Sequence, residues 1–254
     1  MSVDFAEKLK KFMNGMKLHV TMKKMESGDV NMIGKKKMDY KVYEKLCQFF
    51  MKEEGEEYLF ARCFLTLEWN LMARSENIVF AHLCHITWED DCLVFRFAKS
   101  KTDQMGHNKD QLWHVYATPN SPVTCPVFAL ATYIFANPGL TDRNMSGEMS
   151  EDREISGRLF PRNDQYGHLI DCLQRTINKN LDLFLAQGIS PSDLGSHLAR
   201  KGACSYASEG STVCLPMVSI CLRAIWSMGS AKERYLQFEK AGNQYLGRVV
   251  SVLT

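Results

Sequence analysis

Between Asp39 and Lys52, apolar side chains recur at Val42, Leu46, Phe49 and Phe50, the spacing that turns one face of a helix toward a core. The acidic run Glu53-Glu54-Gly55-Glu56-Glu57 interrupts it. From Tyr58 to Met72 the pattern resumes with Leu59, Phe60, Phe64, Leu65, Leu67 and Leu71 and little polar interruption. A helix apolar on most sides is surrounded by protein, so this stretch predicts a central core helix. Three strands follow, at Ile86-Thr87-Trp88, Leu93 to Phe97 and Leu112 to Tyr116, joined by Glu89-Asp90-Asp91 and by the polar Thr102 to Asp110. Pro119-Asn120-Ser121-Pro122 leads into a second core helix over Cys125 to Phe135, which stops at Asn137-Pro138-Gly139. Residues 140–158 are polar and aperiodic and predict a surface loop, mobile or partly disordered. Leu159-Phe160-Pro161 returns to the interior, and Leu173, Ile177, Leu181 and Phe184 mark an amphipathic helix closed by Gln187-Gly188. The fold class that results is mainly α (α+β): helices around a small three-stranded antiparallel sheet.

The last third holds the residues with the most chemistry. Ser190-Pro191-Ser192-Asp193 supplies caps for a helix bearing His197 and Arg200, which lie one turn apart on one face. Val213 to Ile225 is largely apolar and is expected to pack beneath them. A Ser227-Met228-Gly229-Ser230 turn separates Trp226 from a helix that starts near Ser230, carries Tyr235, ends at Lys240 and is broken by Ala241-Gly242-Asn243. The tail then presents Val249, Val250, Val252 and Leu253, apolar enough to dock on its own chain or a neighbour. An imidazole, a guanidinium, an indole N–H and a phenol are what a metal-free phosphodiester cleavage needs. The phenol attacks, the guanidinium holds charge on phosphate oxygens, and the imidazole moves protons.

Composition narrows the setting. The chain has 254 residues, 45% of them hydrophobic and 24% charged, which is ordinary for a soluble globular protein. No run of about 18 apolar residues exists, so no membrane span is expected, and the N-terminus lacks the apolar core of a signal peptide. Nine cysteines with no Cys-x-x-Cys suit reduced thiols in an intracellular compartment. Net charge is only +2, but residues 1–45 hold eleven lysines against six acids. This basic arm, in which Phe5, Leu9 and Phe12 have helical spacing, is either a phosphate- or partner-contacting segment or a solvated tail. His82, Cys84 and His85 are metal-ligand types at close spacing, but no second Cys or His pair follows at finger-like distance.

His197-x-x-Arg200, then Trp226 nine residues before the Tyr of an Arg234-Tyr235 pair, resembles the tyrosine recombinases. The wording Arg200-Lys201-Gly202-Ala203 and Leu222-Arg223-Ala224-Ile225-Trp226-Ser227-Met228-Gly229 resembles the Crypton-type recombinases of eukaryotic transposons. Arg74, just after the core helix, matches the family's first catalytic arginine. Where the family carries an acid three residues on, this chain has Asn77, with Glu76 one earlier. Lys99-Ser100-Lys101-Thr102 matches the lysine-bearing hairpin, and its Ser-Lys-Thr wording favours Lys101 over Lys99. The resemblance covers roughly residues 38–254. It implies a tyrosine recombinase catalytic domain at 37–254, preceded at 1–36 by a basic arm or the remnant of a core-binding domain. The family's core-binding domain closes a clamp around DNA and is larger than 36 residues, so a fragment or a reduced protein is implied.

What the resemblance implies for function is DNA strand cleavage and rejoining through a 3′-phosphotyrosyl intermediate, as in integration of a mobile element. Tyr235 would be the nucleophile, Arg74 and Arg200 the phosphate grip, His197 the base, Lys101 the acid, and Trp226 an N–H donor. No cofactor, metal or ATP is implied. The partner would be double-stranded DNA, with a monomer in solution forming a tetramer on synapsed DNA, in the nucleus. The alternative is a transposon-derived DNA-binding or chromatin-associated protein that keeps the fold without turnover. A type IB topoisomerase shares the chemistry but not the tryptophan position. Taken singly, Trp226 and Tyr235 also fit structural roles, His197 fits a cap, and Tyr245 is a rival phenol.

Overall fold

The computed structural model describes residues 3–26, 37–97, 112–140, 157–161, 163–195, 197–209, 217–226 and 240–252. The chain divides into two units, Met1–Lys35 and Lys36–Thr254. In the first, α1 (Val3–Glu26) is a single helix of 24 residues, longer than the Phe5, Leu9 and Phe12 spacing marks out. Near its start Lys8 pairs with Asp4 one turn earlier at 2.7 Å.

The second unit is built around α3 (Glu56–Leu71). Packed against it are α2 (Tyr40–Lys52), α4 (Ser75–Val79), α5 (Pro126–Ala136), α6 (Gln165–Lys179), α8 (Leu198–Glu209), α10 (Lys240–Val250) and strand β3 (Trp113–Tyr116). The predicted core helix is therefore central, and even its polar residues Arg62, Thr66, Glu68 and Asn70 are buried. Each of these makes a hydrogen bond, as burial of a polar group requires. Arg62 donates to the carbonyls of Pro122 and Val123, Thr66 to Cys63, Asn70 to Thr66, and Glu68 accepts from Ser75. Along α2, Val42, Tyr43, Leu46, Cys47 and Phe50 face this core.

Strands β1 (Ile86–Glu89), β2 (Cys92–Phe95) and β3 form one antiparallel sheet in the order β1-β2-β3. Glu89 faces Cys92 across the first turn, and Phe95 faces Trp113 across the second pair. A mainly helical body with this small sheet is the fold class that the pattern predicts. The first strand runs one residue beyond expectation, to Glu89, while the second and third are shorter, with Phe97 and Leu112 outside them.

Four local expectations are corrected. Helix α6 starts at Gln165, well before Leu173, because Asp164 accepts from Gly167 N–H at 3.0 Å and caps it. It ends at Lys179, where Asn180 donates its side-chain amide to the Thr176 carbonyl, and α7 (Leu181–Ala186) begins afresh with Leu181 exposed. Ser190 and Asp193 cap the short 3₁₀ turn Pro191–Asp193 instead of α8, which starts only at Leu198. Lastly, α10 runs unbroken through Ala241-Gly242-Asn243, since Asn243 is buried and engaged by other elements. With Leu246, Val249 and Val250 buried, this C-terminal helix docks on its own chain. The predicted loop at 140–158 lies mostly outside the described residues, while Leu159 and Phe160 beyond it are in the core. Among the described residues no helix is long and apolar enough to cross a membrane.

Candidate active site

Arg74 is placed by the way α3 ends. Met72 takes a left-handed conformation (φ 49°), unusual for a side chain of its size, and the chain turns sharply out of the core helix. Arg74 then stands in extended conformation at the N-cap of α4, its carbonyl accepting from Asn77 N–H at 2.9 Å and its side chain half-buried. The position three beyond it, Asn77, is buried, and Glu76 is exposed on the first turn.

His197 is the turn residue before α8, and its carbonyl opens the helix by accepting from Lys201 N–H at 2.9 Å. Its side chain is exposed, whereas Arg200, three residues on, is only 3% exposed. Helix α8 can bring Arg200 this deep because Gly202 meets α3 directly. A Cβ there would lie 2.8 Å from the Trp69 ring and 2.0 Å from the Met38 carbonyl oxygen.

Trp226 follows α9 (Met217–Arg223). The helix closes with Trp226 N–H bonded back to the Cys221 carbonyl at 2.8 Å and Ile225 N–H to Leu222 at 3.1 Å. This is a Schellman closure with Ile225 in the left-handed position (φ 52°) that glycine usually fills. A β-branched residue there stores roughly 1–3 kcal/mol of strain. Arg200 Nη2 donates to the Ala224 carbonyl of the same turn, and its guanidinium carbon stands 5.8 Å from the Trp226 ring centroid. Arg200 Nε is buried and has no partner among the described residues.

These groups act on one another electrically. Burial and then the Arg74 charge bring the Arg200 pKa down to about 10. Burial, followed by Arg200, Arg74 and Lys201, lowers that of His197, with Glu76 opposing. A neutral imidazole facing two guanidinium groups is suited to accept a proton, and two guanidinium groups are suited to hold an anion. Arg74, His197, Arg200 and Trp226 thus converge from three separate segments, the start of α4, the start of α8 and the turn after α9. Lys101, which falls between β2 and β3 in sequence, and Tyr235, between α9 and α10, lie outside the described residues.

The sequence reading missed the polar core beneath this site. Arg223, 1% exposed, uses all five guanidinium donors. It donates to the Asn70 carbonyl at 3.3 and 2.7 Å, to the His114 carbonyl at 2.7 Å, and to Asn243 Oδ1 and carbonyl at 2.8 and 3.0 Å. Its own carbonyl accepts from Trp113 Nε1 at 3.0 Å. One residue therefore ties the end of α3, strand β3, α9 and α10 together. With no carboxylate partner, its burial lowers its pKa to about 9. Glu68 was also missed. Both stand as single charges inside apolar runs, which was the available signal. Among the described residues no cluster of three or more His, Cys, Asp or Glu comes together; His82 and His85 have ring centroids 5.3 Å apart, with Cys84 exposed.

No family model matches this chain, and no curated protein matches it. Among solved structures it is similar to that of the XerH site-specific recombinase bound to difH substrate in a pre-cleavage complex. The TM-score is 0.46 at 14% identity, covering 85% of this chain and 49% of that one, so this chain spans about half the length of that protein.

Proposed function

We propose that this chain cuts and rejoins DNA strands through a covalent tyrosyl–phosphate intermediate, residues 37–254 forming the catalytic domain. The observation that supports this best is the convergence of Arg74, His197, Arg200 and Trp226 into one half-buried, positively charged site. The Tyr235 oxygen attacks the phosphorus as its proton passes to His197. The bond to the 5′ oxygen breaks, and that oxygen takes a proton from Lys101. Arg74 and Arg200 hold the non-bridging oxygens while charge builds on them, and the Trp226 indole N–H positions one of them. The products are a 3′-phosphotyrosyl protein and a free 5′ hydroxyl. The linkage keeps the bond energy, so attack by a hydroxyl of a partner strand reverses the step, as integration of a mobile element requires. The partner is double-stranded DNA in the nucleus, with synapsis by four copies.

A second reading, a DNA-associated protein without turnover, is favoured by the internal hydrogen bond of Arg200 to Ala224. Nicked suicide duplexes separate the two. Wild type and Tyr235→Phe are incubated with them in chelator and run on denaturing gels. A covalent adduct in wild type alone is the expected result. An adduct that persists in Tyr235→Phe moves the nucleophile, with Tyr245 first in line. Binding without any adduct favours the second reading.

A further inference from the structure

Glu68 is the buried carboxylate that this mechanism leaves unused. It sits on α3 at 4% exposure and accepts a hydrogen bond from the Ser75 hydroxyl at 2.7 Å. Ser75 is the residue after Arg74, so this bond ties the carboxylate to the turn that presents the first arginine. The next residue on α3, Trp69, is where Gly202 of α8 makes its close approach, two residues after Arg200. Glu68 thus lies between the segments that carry the two arginines, and its charge acts on Arg200. Where the sequence motif would place a supporting acid there is Asn77, and α3 supplies a carboxylate from a different direction.

We propose that Glu68 is the internal counter-charge of Arg200, and that it takes up a proton when a phosphate binds the arginine pair. The reason is electrostatic. Two guanidinium groups in a partly dry site favour an anion, and an ionised Glu68 provides one. An incoming phosphate brings a like charge toward that carboxylate, in a place where water screens little. The cheapest response is protonation, which removes the repulsion and leaves the Ser75 hydrogen bond in place. Burial already brings the carboxyl to about 7, so the proton is available near neutral pH. By reciprocity, phosphate binding must then weaken as Glu68 ionises. Ser75 from α4 is bonded to this carboxyl, and Arg200 from α8 acts on it through space without forming an ion pair with it. Arg74, His197 and Glu76 stand around the same site.

The inference rests on the arginine pair being a phosphate site, and it can be tested without cleavage. Inorganic sulfate is the probe, because its charge is constant between pH 6 and 8. Sulfate affinity is measured from thermal stabilisation of the full chain at both values. Wild type is expected to bind up to about tenfold more weakly at pH 8 than at pH 6, the limit set by one pH unit above a carboxyl near 7. Glu68→Gln keeps the shape and the Ser75 bond, so it should bind sulfate equally at both pH values and more tightly than wild type at pH 8. Ser75→Ala removes a bond that favours ionisation, and should move the wild-type midpoint to higher pH. A Glu68→Gln protein with the wild-type pH dependence assigns that dependence to His197 and overturns the proposal.

If Glu68→Gln does not fold, calorimetry of His197→Gln in two buffers of different ionisation heat decides, because proton uptake on sulfate binding must appear with the imidazole removed. Its absence overturns the proposal. Failure of the underlying reading has a different signature: wild type and Arg200→Gln would then respond alike to sulfate. A counter-charge effect without any DNA adduct would mark a phosphate-binding site that does not turn over.

Discussion

Arg200 and Trp226 meet across 26 positions of sequence, guanidinium carbon to indole centroid 5.8 Å, with Arg200 also bonded to the Ala224 carbonyl two residues before the tryptophan. The arginine therefore fixes the turn that delivers Trp226, and the tryptophan covers the arginine.

Arg200→Lys keeps the charge but loses the planar fork. On nicked duplexes it should form adduct roughly 100-fold or more slowly than wild type, the usual effect of losing one preorganised charge-stabilising donor. Trp226→Phe keeps an aromatic face but loses the N–H and the second ring, and should slow the same time course by about tenfold. Wild-type rates in Arg200→Lys would remove Arg200 from the phosphate site.

Arg223→Met takes the Arg223 donor away from the Asn70, His114 and Asn243 carbonyls inside the core. The expected loss is about 3 kcal/mol or more. In urea denaturation this shows as a lower midpoint with an unchanged slope. A loss under about 1 kcal/mol would mean that the four elements are joined by something else.

Gly202→Ala is expected to destabilise by roughly 1–3 kcal/mol, because its new methyl would meet the Met38 carbonyl and the Trp69 ring. The backbone of α8 must retreat from α3, so Arg200 should be drawn out of register as well. Thermal unfolding and sulfate binding measured together on this variant should both worsen. Full stability would show that the close approach can relax.

Glu68 also sets a pH dependence of stability. Its carboxyl is raised by burial from 4.5 to about 7, so the folded state holds a proton that the unfolded state has released between those values. The stabilisation is complete below about 4.5 and is lost as pH rises toward 7, by about 3 kcal/mol at most. Glu68→Gln should flatten this segment of the curve when unfolding free energies are compared from pH 4.5 to 8. His197, lowered from 6.5, works in the opposite direction and loses stability as pH falls, so only the difference between the two proteins isolates Glu68. Parallel curves would show that Glu68 does not titrate there.

Apolar periodicity alone determined the central helix from Tyr58 to Met72, the three short strands, the helix entered through Cys125 and the return at Leu159-Phe160. Burial of apolar surface is the dominant favourable term, and it is written into residue spacing. Helical spacing put His197 and Arg200 on one face, whereas Arg74 and Trp226 were singled out only through the family resemblance. What tertiary structure decided was where polar groups find partners. Ala241-Gly242-Asn243 has the composition of a break, yet it is helical because Asn243 meets Arg223 and His114. Ser190 and Asp193 have the composition of a helix cap, yet they cap each other's turn. Arg223 and Glu68 look like misplaced charges until three elements or a serine hydroxyl close around them. A buried hydrogen bond between residues more than a hundred positions apart leaves no local trace, so no window along the chain could have shown it.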